Sequence, residues 1–157
     1  MSDKQLSSDE LAVWQRLQTV TESLRREVGR GLRADADLSE SEFTVLAHVV
    51  TAGGSIRAGE CARSIGWDSS RLAHQLGRLE RRGLVDRTTD ATDARSSVVS
   101  LTETGRAAHR RAVGPHLRAA QRWFAAALAP HQLQDLDLAL RALESHVQHL
   151  SQEGPSS

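Results

Sequence analysis

Between Gly66 and Gly83 lies a segment with two unlike helical faces. Leu72, Leu76, Leu79 and Gly83 recur at spacings of four, three and four, an apolar stripe at the period of a helix. Ser70, Arg71, His74, Gln75, Arg78 and Arg82 fall on the other side. That side offers hydrogen-bond donors, mostly cationic, and no carboxylate. A face that only meets water usually mixes both signs. A face of Arg, Gln, Ser and His presents the groups that bond phosphates and base edges in a DNA major groove. Basic exposed helices are common, so this face alone leaves an ordinary solvated helix equally open. The flanking sequence decides between them.

Upstream, residues 58–65 read as a short helix with Cys61, Ala62 and Ile65 inward, stopped by Gly66. Asp68 suits the N-cap of the next helix. A short helix, a tight glycine turn and a longer helix make the helix-turn-helix arrangement, in which the second helix enters the groove. Downstream, residues 84–89 and 96–101 are β-branched runs joined by an Asp-rich tip at 90–95. They predict a hairpin, and a hairpin directly after a helix-turn-helix is a wing. Arg95 at its tip is placed to reach an adjacent minor groove. Asp93 is expected to hold Arg95 by a charge-assisted bond, because a carboxylate near phosphate is repelled.

The rest of the chain reads as helices. Ser7 and Glu10 have capping-box spacing, and Leu11, Trp14, Leu17, Leu24, Val28 and Leu32 keep a stripe to about residue 34. After the polar break Asp35-Ala36-Asp37, Ser39 and Glu42 repeat the box, with Leu38 set to staple onto Phe43. Phe43, Leu46, Ala47 and Val50 are expected inward, and Gly53-Gly54 should end this helix before an extended Ser55-Ile56-Arg57. Thr102 caps a long helix expected from Glu103 to about Leu128, kinked at Gly114-Pro115. Pro130 suits the first turn of the last helix. There Leu133, Leu136, Leu140, Leu143, Val147 and Leu150 follow spacings of 3, 4, 3, 4 and 3, a heptad seam. The seam either packs on its own subunit or joins two. Composition favours two: only 39% of the 157 residues are hydrophobic, and the aromatics are Trp14, Phe43, Trp67, Trp123 and Phe124. That is a thin core for a monomer.

Charge separates fewer classes. The 20 basic residues balance 20 acidic ones, although residues 57–95 hold eight Arg against six acids. All basic residues but Lys4 are Arg, the side chain suited to bidentate phosphate and guanine contacts. The start is polar, and no run approaches the ~18 apolar residues of a membrane span. The expectation is a soluble cytoplasmic protein with no membrane contact and no cofactor. One cysteine excludes an internal disulfide and a cysteine-rich zinc site. With no Gly-rich phosphate loop, Gly-x-Ser-x-Gly or zinc-protease motif, no enzyme is expected.

Residues 38–106 resemble the MarR family of bacterial transcription regulators. The resemblance rests on Leu38-Ser39-x-x-Glu42-Phe43-x-Val45-Leu46, on Leu79-Glu80-x-x-Gly83-Leu84-Val85, on Asp93-x-Arg95-Ser96 and on Leu101-Thr102-x-x-Gly105. It implies a homodimer gripping a pseudo-palindrome in double-stranded DNA, usually as a repressor, and in many members release by an aromatic or phenolic anion. Carried onto this chain, Ser69, Ser70, Arg71, His74, Gln75 and Arg78 fall on the groove helix, and Asp93, Arg95 and Ser96 on the wing. Two positions depart from the pattern: Ala94 stands where an arginine is frequent, and Cys61 where leucine is usual.

The expected architecture is mainly α with a small β-hairpin wing (α+β). It comprises an N-terminal dimerisation helix over residues 1–36, a winged helix-turn-helix over 37–102, C-terminal dimerisation helices over 103–150 and a disordered tail over 151–157. Leu11 joins the C-terminal seam at the dimer interface. Trp14, His48 and Trp67 are expected to line an effector pocket, although core packing explains the tryptophans equally well. Cys61 reads as a buried structural thiol. His109 with His116 and His146 with His149 share helical faces but read as surface or interface histidines, not metal ligands. The alternatives are a ligand-insensitive regulator, an activator, or a winged-helix module that binds protein.

Overall fold

Ser7 and Ser39 each open a helix in the manner their spacing requires. In the computed structural model, which describes residues 5–93 and 95–153, Ser7 Oγ accepts the Glu10 N–H while the Glu10 carboxylate accepts the Ser7 N–H at 2.7 Å. Ser39 and Glu42 repeat this exchange at 3.1 and 2.9 Å. The first box starts α1 (Ser8–Ala36) and the second α2 (Glu40–Thr51). Between them Asp37 adopts a left-handed φ of 53°, and its N–H returns to Leu32 O. There follow β1 (Ser55–Arg57), α3 (Ala58–Ile65), α4 (Ser69–Arg81), β2 (Val85–Thr89), β3 (Ser97–Leu101), α5 (Glu103–Trp123) and α6 (Pro130–Glu153).

The segment expected to be merely extended, β1, is the third strand of an antiparallel sheet ordered β1-β3-β2. Val99 on β3 stands between Ile56 of β1 and Arg87 of β2. The core gathers Leu32 and Leu38 with Val45, Leu46 and Val49 of α2, Leu72, Leu76 and Leu79 of α4, and Val85 and Val99 of the sheet. The inward face of α2 is thus Glu42, Phe43, Val45, Leu46 and Val49, with Ala47 and Val50 only partly buried. A single stripe does not include Val45 and Val49, and both are buried because α2 meets α1, α3, α4 and the sheet together. A helix covered on several sides buries a wider arc than an amphipathic stripe.

Helix α5 runs through Gly114-Pro115 and stops at Trp123, short of the expected Leu128. The bonds then tighten into a 3-10 turn over Ala125–Ala127, a common way to satisfy the last carbonyls of a helix. Pro130 begins α6, and the Gln132 side chain caps the Ala129 N–H at 2.9 Å. Residues 151–153, expected in a disordered tail, continue α6; Gly154, Pro155 and the two serines after them lie outside the described residues, as does Ala94.

By compactness the chain divides within α5 into residues 1–119 and 120–157. In the first unit the front half of α1 exposes Leu11, Val13, Trp14 and Val20. In the second, Leu133, Leu140, Leu143, Val147 and Leu150 are 43–60% exposed, with Leu136 half-buried.

Candidate nucleic-acid interface

The groove helix is held from both ends. Gly66 takes a left-handed φ of 77°, which lets the Trp67 N–H return to Ala62 O at 2.9 Å and close α3. Asp68 then caps α4, its Oδ1 accepting the Arg71 N–H at 2.8 Å. Leu72, Leu76 and Leu79 are at most 2% exposed, and their burial fixes which face looks out. Ser69, Ser70 and His74 stand exposed on that face. The Arg71 guanidinium lies over the Trp67 ring, 4.0 Å from its centroid.

Three predicted donors sit differently. Gln75 is half-buried, and its Oε1 is fully enclosed without a hydrogen-bond partner. Arg82 turns from the donor face and bonds Glu42 Oε2 at 3.0 Å and the Asp37 carbonyl at 2.7 Å. Arg78 is shared: its Nε lies 3.8 Å from Glu42 Oε1, while its side chain stays 47% exposed. Burial pushes the Glu42 carboxyl up, but the Ser39 N–H and the Arg82 guanidinium more than offset this and hold it below the usual carboxylate range. The back end of α4 is therefore tied to the start of α2 by a buried anion. Removing one partner of a fully buried pair costs about 3 to 5 kcal/mol; here Arg82 is 35% exposed, and solvent screening reduces the loss.

The wing is set by a clamp between residues too far apart for any local spacing to predict. Arg57, at the end of β1, donates to Asp90 Oδ2 and, at 3.0 Å, to Thr92 Oγ1. Asp90 Oδ1 also accepts the Thr92 N–H and hydroxyl, both at 2.8 Å. Asp93 does not pair with the Arg95 guanidinium as expected. Its Oδ1 accepts the Arg95 backbone N–H at 3.0 Å, and its carbonyl accepts the Ser96 N–H at 2.9 Å. The carboxylate thus shapes the turn and leaves the Arg95 side chain exposed, because a short Asx turn satisfies the backbone first.

The Thr92 bonds, then the Arg57 ion pair, lower the Asp90 carboxyl to about 2 from an ordinary 3.8. A depressed carboxylate contributes its stabilisation above the unfolded value and loses it as pH falls through the folded one. The clamp should therefore be complete above about pH 4 and open as pH falls towards 2. In an NMR titration the Thr92 amide should shift with a midpoint near 2, and Asp90→Asn should abolish that transition. A wild-type midpoint at the ordinary carboxylate value would mean that the clamp is not formed.

The two parts of the face border one another. A cleft of about 190 Å³ has Ala58 and Gly59 of α3 and Ser69 and Ala73 of α4 on one side, and Arg87 and Ser97 of the wing strands on the other. A second, open depression of about 310 Å³ is formed by His74, Arg78, Arg81 and Arg82. Arg81 is an addition to the predicted set: seven residues beyond His74, it falls on the same helical face.

The remaining candidates separate. A cleft of about 350 Å³ between α1 and α2 is lined by Arg25, Arg26, Arg30 and Arg33 with Glu22, Ser39 and Glu40. None of Trp14, His48 and Trp67 lines it: Trp14 is 52% exposed on α1, the His48 Nδ1 is engaged with Thr44 O, and Trp67 lies under Arg71. The structure does not gather those three into any of these cavities. His109 and His116 flank the Phe43 ring at 5.5 and 4.4 Å between centroids, and burial lowers both. Both are half-buried and pack on Phe43. Cys61 is fully buried, and burial pushes its thiol up.

The MarR family model matches residues 36–96. Among solved structures, AbsC, a MarR family transcriptional regulator from Streptomyces coelicolor, is 27% identical with a TM-score of 0.82, over 93% of this chain and 99% of that one. Sco3205, a MarR family regulator from the same organism solved in complex with DNA, is 26% identical at 0.82, over 91% of each chain. PcaV, also from that organism and solved with its natural ligand, is 26% identical at 0.68, over 93% of this chain and 99% of that one. No curated protein matches.

Proposed function

We propose that this chain, which carries the MarR-family winged helix at residues 36–96, is a sequence-specific DNA-binding transcription regulator, acting as a homodimeric repressor on a pseudo-palindromic operator. The observation that carries this reading is the outward face of α4: Ser69, Ser70, Arg71, His74 and Arg78 beside a wing whose Arg95 is free of Asp93. Recognition helix and wing are the two parts such proteins place in adjacent grooves. The Sco3205–DNA complex supports it. Binding without chemistry is the role, and residues 37–102 are the DNA-binding part.

The exposed apolar residues of α1 and α6, Leu11 and the seam from Leu133 to Leu150, are the surface a second copy covers. Release by a small aromatic or phenolic anion is assigned to the α1–α2 cleft, whose arginines would meet its charge, in place of the Trp14, His48 and Trp67 wall. The ligand-bound PcaV structure supports a small-molecule effector.

The test is fluorescence anisotropy with the intergenic DNA beside the gene, against random DNA, over a salt series. Specific binding should far exceed random binding and fall steeply with salt. Arg95→Ala should weaken it roughly tenfold and leave thermal stability unchanged, because the side chain is exposed. Undiminished affinity at physiological salt would remove Arg95 from the interface. Absence of binding even at low salt would favour a protein-interaction module.

A further inference from the structure

We infer that Trp67 is the positioning residue for base readout: its ring holds the Arg71 guanidinium flat, so that Arg71 reads a guanine in the major groove and not a phosphate. The inference rests on the DNA-binding reading above. The guanidinium carbon is 4.0 Å from the ring centroid, a cation–π contact. The ring is half-buried against the core, and its backbone is pinned by the N–H bond to Ala62 O behind Gly66. The Arg71 backbone is pinned by Asp68. One turn therefore grips Arg71 at both ends.

A guanidinium laid flat on a ring at this distance uses its π-face for the contact and keeps its in-plane N–H donors open. Those donors form the fork that matches O6 and N7 of guanine. A loose arginine must lose rotamer freedom on binding, whereas a stacked one has already lost much of it. The other donors of α4 differ: Arg82 is held by Glu42 and Asp37, and Arg78 lies beside Glu42. Among the described residues no carboxylate pairs with Arg71. It stands in the first turns of α4, the end that enters the groove.

The experiment begins with a randomised pool of duplexes from which the wild-type protein selects its own site. The selected duplex, and versions with each G·C pair changed to A·T, are then titrated by anisotropy with wild type, Trp67→Phe, Trp67→Met and Arg71→Lys over a salt series. One pair in each half-site should show a guanine preference of about tenfold or more in wild type and Trp67→Phe, falling below about threefold in Trp67→Met and Arg71→Lys. The salt slope should be the same in all four, which keep their charge, and also in Arg71→Gln, since no phosphate contact is lost. Full discrimination by Trp67→Met, or by Arg71→Lys, overturns the inference, as does a salt slope that falls in Arg71→Gln while discrimination persists. A spectroscopic readout covers the case in which Trp67→Met does not fold. With Trp67 as the sole tryptophan (Trp14→Phe, Trp123→Phe), Arg71→Ala should alter the indole emission; an unchanged spectrum also overturns it. A pool in which no sequence is enriched removes the DNA-binding reading itself, an outcome distinct from an enriched site without a guanine step.

Discussion

Gly105→Ala should lower the stability of the fold by roughly 3 to 5 kcal/mol, the cost of a steric conflict that a packed core cannot relax. A Cβ at this position would lie 1.9 Å from the Leu84 carbonyl oxygen, 2.8 Å from its carbon and 3.0 Å from Leu101 Cδ1. The obstacle is backbone, and that backbone cannot yield. The Leu84 oxygen accepts the Thr102 N–H, the Thr102 hydroxyl donates to Gly83 O at 2.7 Å, and the same hydroxyl accepts the Gly105 N–H at 2.9 Å. These bonds dock the start of α5 on the entry to β2. Moving α5 outward to make room would break them and unpack Ala108 and Ala112, which are 3% and 0% exposed. In an open helix the same change would stabilise by about 1 kcal/mol, so the expected sign is reversed by contact alone. For a chain of this size the loss corresponds to roughly 10 °C in melting temperature. Calorimetry on Gly105→Ala checks it, with Gly77→Ala as control, because a Cβ there meets only the flexible end of Arg81 at 3.5 Å. A melting temperature unchanged in Gly105→Ala would mean that α5 is not seated on β2.

Leu140→Glu should separate the proposed dimer and abolish operator binding. Leu140 is 47% exposed in the single chain, in line with Leu133, Leu143, Val147 and Leu150. A seam of this length in water forgoes roughly 1.5 to 3 kcal/mol for each large side chain left uncovered. A two-fold interface contains every residue twice, so a carboxylate at this position is buried in the apolar seam from both copies. A loss of about 4 kcal/mol raises the dimer dissociation constant roughly a thousandfold. A single winged helix then reads one half-site, and affinity falls with it. Sedimentation should show monomers that retain their helical circular dichroism. A persistent dimer would mean that α6 is not the joining surface.

Both helix starts, the glycine turn and the hairpin were readable because each is written within a few residues. Ser39 and Glu42 exchange bonds at a separation of three, and Asp68 caps Arg71 at the same distance. Leu72, Leu76 and Leu79 recur at the helical period and are buried together. The end of α5 was misjudged, because an alanine-rich stretch continues the helical pattern past Trp123 while its bonds have already tightened.

The amino-acid sequence by itself determined which segments are helices, the two strands of the hairpin, where each begins to within a residue, and that α4 turns its leucines in and most of its donors out. Those features depend on spacings and caps internal to a segment. The tertiary structure alone decided which donors remain available. Arg82 is withdrawn by Glu42, 40 residues away, and Arg57 is spent on Asp90, 33 away. Periodicity gives a side chain its direction, but a charge pairs with whatever anion the fold brings beside it. That partner lies at no fixed spacing along the chain.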